Sequence, residues 1–138
     1  MRKILFICTA NTCRSAMAEA ILKDLDKNNF NVKSAGIYAN PGSSSNNHTV
    51  KVMREKDIDI TKHKSTQVNE EILEGVDEVI CMEDVHLNFL KTQYPKFEDK
   101  YFLIKPEGIR DPFGGSYDDY KKTSEILEKS IKTYFKIS

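Results

Sequence analysis

Residues 3–22 read KILFICTANTCRSAMAEAIL, and the fold turns on how that stretch divides. Lys3 to Cys8 is a short, continuous apolar run, the kind found in strands buried on both faces of a parallel sheet. From Ser15 to Leu25 the period changes. Met17, Ile21 and Leu25 recur every four residues while Ala18 and Leu22 widen the same stripe, which predicts a helix. CTANTCRS, residues 8–15, therefore sits where a strand gives way to a helix.

Working outward, Asn31 to Ala35 supplies a second strand, and GIYANPGSSSNNH an exposed loop marked by Pro41-Gly42 and a Ser/Asn cluster. Thr49 to Glu55 reads as helix, IDITKHKSTQV has no clean period, and NEEILEG is a short capped turn closed by Gly75. Asp77 to Met82 is a further apolar strand, followed by a helix from Asp84 to Tyr94 and a strand from Lys100 to Ile104. Ser116 and Asp119 form a capping signature ahead of a helix whose Tyr120, Leu127, Ile131 and Tyr134 or Phe135 make the buried stripe. Strands alternating with helices, with no linker and no repeat, predict a single α/β domain over residues 1–138, a parallel sheet with helices on both faces. Ligands in such sheets bind outside the carboxyl ends of the strands, and Cys8 ends the first.

The 138 residues are one domain's worth of chain. Twenty-one basic and 21 acidic side chains cancel, so the charge footprint of a nucleic-acid or membrane-surface binder is missing. Met1-Arg2-Lys3 precedes an apolar run too short for a signal peptide, and no segment approaches the roughly 18 apolar residues of a membrane span. Three cysteines without export signals suit a reducing cytoplasm. The cysteines and histidines lack metal-ligand spacing, so neither metal nor other cofactor is expected.

Arg14 follows Cys8 by six positions in a chain with four arginines. A loop closing into a helix presents successive N–H groups to one anion, with a guanidinium forking two of its oxygens. A thiol on the floor of that cradle meets the conditions that favour the thiolate, a nucleophile for a bound phosphoryl group. Spacing alone leaves another reading open, since free cysteines commonly end strands as small buried hydrophobes. The position at the carboxyl edge of the sheet favours the cradle. Cleaving a phosphoryl bond also needs a proton donor, and Asp111 in IRDPFGG is the candidate, restrained by Pro112 and beside the flexible Gly114-Gly115. Cys13 is either buried or a reversible disulfide partner for Cys8. Cys81 is expected in the core, His48 and His86 in solvent, and Asp118 and Asp119 as capping residues.

With these residues in place, the chain resembles the low-molecular-weight protein tyrosine phosphatase family. CTANTCRS resembles its C-x-G-N-x-C-R-S loop and DPF its acid loop, with VKSAG, TKHKSTQ and VICMED in the family's order. The resemblance implies a four-stranded parallel sheet in the order 2-1-3-4. It implies Cys8 as nucleophile, Arg14 as phosphate clamp, and Asp111 as general acid then base. Thr9, Ala10, Asn11, Thr12, Cys13, Arg14 and Ser15 would bind phosphate, Ser15 also donating to the thiolate. Ser34 and His63 would hold Asn11.

Two positions depart from the pattern. Ala10 stands where the family has Gly and would store roughly 1–2 kcal/mol of strain if its φ were positive; Ala16 replaces a helix-starting Pro. Thr12 stands where tyrosine phosphatases carry Ile or Leu, and this combination looks most like the branch acting on protein phosphoarginine. Thr12 and Asp111 would offer polar contacts to a planar guanidinium, and Phe113 a stacking face. Ser43, Ser44, Ser45 and Phe113 are expected at the entrance. The expected partner is a phosphorylated protein, met by a monomer.

Rival readings use the same loop. An arsenate reductase needs two further thiols near the end of the third strand, where only Cys81 is present. A sugar-transport phosphocarrier has no use for Arg14 and Asp111. A non-catalytic phosphate reader or redox switch would keep the cradle and dispense with the acid.

Overall fold

A computed structural model describes residues 1–138. The chain alternates β1 (Arg2–Cys8), α1 (Arg14–Leu25), β2 (Phe30–Gly36), α2 (Asn47–Glu55), α3 (Glu70–Glu74), β3 (Glu78–Cys81), α4 (Asp84–Gln93), β4 (Tyr101–Leu103) and α5 (Tyr117–Phe135), with a 3₁₀ segment at Pro95–Lys100. The strands form one sheet in the order β2-β1-β3-β4, and every pairing is parallel. Each expected strand and helix is present, with ends shifted by a few residues. The 3₁₀ segment, opened by Pro95, had no periodic signal of its own.

Burial on both faces explains the unbroken apolar run of β1, because successive side chains point to opposite sides of the sheet. Ile4, Phe6 and Cys8 join the larger core with Met17, Ile21, Tyr120, Leu127 and Ile131 of α1 and α5. Leu5 and Ile7 join the second core with Leu73, Val79, Cys81, Leu90 and Phe97. The sheet is thus sealed between α1, α2 and α5 on one side and α3 and α4 on the other. Cys81 is fully buried, as expected, and burial pushes its thiol up to about 12.

Ser116 and Asp119 close a reciprocal capping box at the start of α5, while Asp118 lies in its first turn. No helix is long and apolar enough to cross a membrane. The carboxyl ends of β1 and β3, the loop 8–14 and the loop before α5 converge at one edge of the sheet.

Candidate active site

The site is built around the N-terminus of α1. Its N-cap residue, Cys13, makes no side-chain hydrogen bond to the first turn, and no acidic residue lies there. The first N–H groups of the helix are left as donors for an anion. At the other end of the loop the Cys8 Sγ lies 2.9 Å from the Ser15 Oγ. Asn11 Nδ2 donates to that same hydroxyl oxygen at 2.7 Å, leaving the Ser15 proton for the sulfur or for the Ala35 carbonyl, which is more distant at 3.5 Å.

Asn11 is the hub of the loop and fully buried. Its Nδ2 also donates to Ser34 Oγ at 2.9 Å, its Oδ1 accepts from Thr66 N at 2.9 Å, and its carbonyl is 2.8 Å from His63 Nε2. A carbonyl only accepts, so His63 carries its proton on Nε2. The Ser34 hydroxyl in turn donates to Glu19 Oε1 at 2.5 Å. These bonds hold Asn11 in the left-handed region, at φ 59°, a conformation asparagine tolerates better than most residues. The positive φ therefore falls on Asn11 and not on Ala10, and the strain considered for Ala10 is absent.

Arg14 is 2 % exposed, and the protein assigns its guanidinium donors one by one. Nη1 donates to Glu83 and, at 2.8 Å, to the carbonyl of Ile109. Nη2 reaches Thr9 Oγ1 at 3.4 Å and lies 3.5 Å from Asp111 Oδ2. The Nε–H has no protein acceptor, so the Nε/Nη2 edge is the one available for a bidentate grip on two phosphate oxygens. Ile109 is itself pinned, its N–H bonded to the Met82 carbonyl at 2.7 Å. One short stretch after β3 thereby positions both the arginine and the root of the loop that carries Asp111.

Asp111 is 43 % exposed and accepts from Phe113 N at 3.1 Å. Cys8, Ala10, Thr12, Cys13, Arg14, Asn46, Asp111, Phe113 and Tyr120 line a pocket over the loop, with Phe113, 83 % exposed, at its rim. Cys13 is nearly buried, and desolvation, the largest cause, pushes its thiol up to about 12.

Three expectations need correction. The serine loop does not border the entrance: Ser45 is buried and the Ser43 carbonyl accepts from Ser65, turning the loop inward. Asn46, bonded through its N–H to the Thr12 carbonyl, takes that place. His48 is half-buried, its ring 5.0 Å from Tyr120. His86 is fully buried against the loop rather than solvated.

Sequence reasoning also missed Glu83 and the Ile109 carbonyl. Glu83 follows β3 at the carboxyl edge of the sheet, so the topological rule that singled out Cys8 applies to it as well.

Residues 3–137 match the low molecular weight phosphotyrosine protein phosphatase family. The protein-arginine-phosphatase of Bacillus subtilis is 38 % identical, the alignment covering 94 % of this chain and 91 % of that one. Arsenate reductase 1 of Staphylococcus epidermidis is 34 % identical over 96 % of this chain and 95 % of its own. Among solved structures, a YwlE arginine phosphatase with cysteine mutated to serine and its active-site serine phosphorylated superposes with a TM-score of 0.93. It shares 36 % identity and covers 97 % of this chain and 93 % of its own.

Proposed function

The chain belongs to the low molecular weight phosphotyrosine protein phosphatase family, and from that premise we propose that it removes phosphoryl groups from phosphoarginine in proteins through a Cys8 phosphoenzyme. The observation that carries the reading is the convergence of the Cys8 sulfur, the open edge of Arg14 and the Asp111 carboxylate over one uncapped helix N-terminus.

In the first step Arg14 and the loop N–H groups of residues 9–15 hold the three phosphoryl oxygens. Sγ attacks phosphorus in line and the bond to the leaving nitrogen breaks, Asp111 delivering the proton to that nitrogen. Ser15, its proton directed at the sulfur, stabilises Cys8 as an anion before attack and as leaving group afterwards. In the second step the Asp111 carboxylate takes a proton from water, the water attacks phosphorus, and the S–P bond breaks to release inorganic phosphate. Since the Asn11 hub keeps the loop donors aimed inward, little reorganisation is required as charge develops on the transferring group.

Phosphoarginine is favoured over phosphotyrosine by the half-buried Thr12 hydroxyl on the pocket wall and by the Phe113 face at the rim. A guanidinium offers N–H donors to such a wall; a phenol ring offers none. The name of the Bacillus subtilis relative supports the same choice. The arsenate reductase reading lacks thiols, because the chain's cysteines are Cys8, Cys13 and the fully buried Cys81. The enzyme acts as a monomer on a phosphorylated protein, in the reducing cytoplasm that three free thiols suit.

Turnover of p-nitrophenyl phosphate by wild type, Cys8→Ser and Asp111→Asn tests the chemistry; the serine variant loses turnover and the asparagine variant loses most of kcat. Activity that persists without the thiol rejects it. Hydrolysis of phosphoarginine and phosphotyrosine peptides by wild type and Thr12→Ile tests the substrate. An unchanged ratio of the two rates, or a wild type inert to phosphoarginine, removes that assignment.

A further inference from the structure

We infer that His86 is a positioning residue for the phosphate clamp, its Nε2–H holding the Thr9 hydroxyl against the Nη2 end of Arg14. The inference rests on the phosphatase reading of the site. His86 occupies the first turn of α4 and is fully buried. Its Nδ1 lies 3.0 Å from the Glu83 N–H, a donor only, so Nδ1 accepts and the ring proton sits on Nε2. Nε2 is 2.9 Å from Thr9 Oγ1, which stands 3.4 Å from Arg14 Nη2.

The start of α4 therefore grips the guanidinium at both ends. Glu83 takes Nη1 directly, and His86 reaches Nη2 through Thr9. Both Thr9 Oγ1 lone pairs are then engaged, one by each donor. Burial first and the Arg14 charge second push the imidazole down to about 4, so the ring stays neutral beside the arginine.

The consequence concerns Nη2, for which Thr9 and Asp111 compete. Without the Thr9 hydroxyl in place, the side-chain acceptor remaining near Nη2 is the Asp111 carboxylate at 3.5 Å. A guanidinium drawn onto Asp111 turns its Nε/Nη2 edge off the phosphoryl oxygens and ties up the proton donor. His86 prevents that tilt without touching substrate.

Three substitutions separate positioning from mere packing. His86→Asn keeps an acceptor for the Glu83 N–H, as N3 residues in capping boxes do, and loses the donor to Thr9. His86→Gln places an amide N–H where Nε2 stands, and Thr9→Val removes the hydroxyl while keeping the shape. For p-nitrophenyl phosphate, His86→Asn and Thr9→Val each lower kcat/KM about tenfold, as loss of one buried hydrogen bond to a charged network does. Inorganic phosphate inhibits each more weakly by a similar factor. Because the two residues act in series, the double variant loses about tenfold, not a hundredfold. His86→Gln recovers to within about threefold of wild type.

Multiplying losses, an inactive glutamine variant beside a folded asparagine one, or wild-type kinetics in His86→Asn would overturn the inference. Should the His86 variants unfold in urea too early to assay, Thr9→Val decides alone, and wild-type kcat/KM there overturns it. A wild type that does not hydrolyse the ester refutes the phosphatase reading itself, a separate outcome.

Discussion

Gly36 ends β2 directly beneath the loop from Cys8 to Ser15, and a methyl group there collides with the loop's backbone. A Cβ built on Gly36 falls 2.4 Å from the Thr9 carbonyl oxygen and 3.0 Å from both the Ala10 carbonyl carbon and the Asn11 nitrogen. Reaching even a 3.0 Å contact requires about 0.6 Å of movement. Gly36 has no room to retreat: its N–H bonds Thr66 O at 2.8 Å, its carbonyl accepts from Val68 N at 2.9 Å, and it pairs with Cys8 across the sheet. The loop must yield instead, although Thr9 O is held by Tyr38 N at 2.9 Å.

Overpacking of this kind costs about 1–3 kcal/mol of stability. The larger effect is on rate, since a misplacement of about 1 Å costs up to about a hundredfold; Gly36→Ala is expected to lower kcat/KM about ten- to a hundredfold. Steady-state kinetics with p-nitrophenyl phosphate and urea midpoints read the two effects separately. Gly42→Ala is the control: φ there is +86° with nothing within 4 Å of the added carbon, so it pays about 1 kcal/mol of backbone strain and keeps kcat/KM within about twofold. A Gly36→Ala enzyme as fast as wild type would refute the claim that loop position sets the rate.

Two further outcomes follow from the loop's supports. Asn11→Ala removes the bonds to Ser15, Ser34 and Thr66 and leaves alanine at positive φ. Unfolding free energy should drop by about 2–4 kcal/mol and kcat by at least tenfold; calorimetry and kinetics check both, and an unchanged kcat contradicts the hub.

The second outcome concerns pH. His86 is depressed from 6.5 to about 4 by burial, with Arg14 adding to the effect and Asp111 opposing it, while Glu83 and Thr9 supply its hydrogen bonds. Between those two values the unfolded chain binds a proton that the native state does not, so stability falls as pH drops through the window, by at most about 3 kcal/mol. Below pH 4 both states are protonated and this loss stops growing. Urea midpoints at pH 7 and 4.5 should fall further for wild type than for His86→Asn, because the carboxylates that also titrate at the acid end are common to both proteins. Equal falls would show that His86 is not the group responsible.

The loop from Cys8 to Ser15 was legible because its residues are contiguous, and because the change from a buried apolar run to a four-residue repeat marks the strand-to-helix junction. Asp111 was legible through the Pro and Gly residues that shape its turn. His86 was misread for a physical reason: a histidine on a helix looks solvated unless its partners are known, and Thr9 stands 77 residues away. Glu83 reaches Arg14 across 69 residues and Ile109 across 95. The positive φ considered for Ala10 falls on Asn11, because the bonds that hold a left-handed residue come from His63, Ser34 and Thr66.

Local periodicity and short-range chain chemistry by themselves determined the alternation of strands and helices and marked the loop from Cys8 to Ser15 and the turn at Asp111 as candidates, since each is written within a few consecutive residues. The tertiary structure alone decided which donors of Arg14 are occupied and which edge stays open, that Gly36 lies under the loop, and that a buried histidine stands behind it. Those features depend on which segments the parallel sheet brings to its carboxyl edge. Contacts across tens of residues leave no periodic trace in the chain.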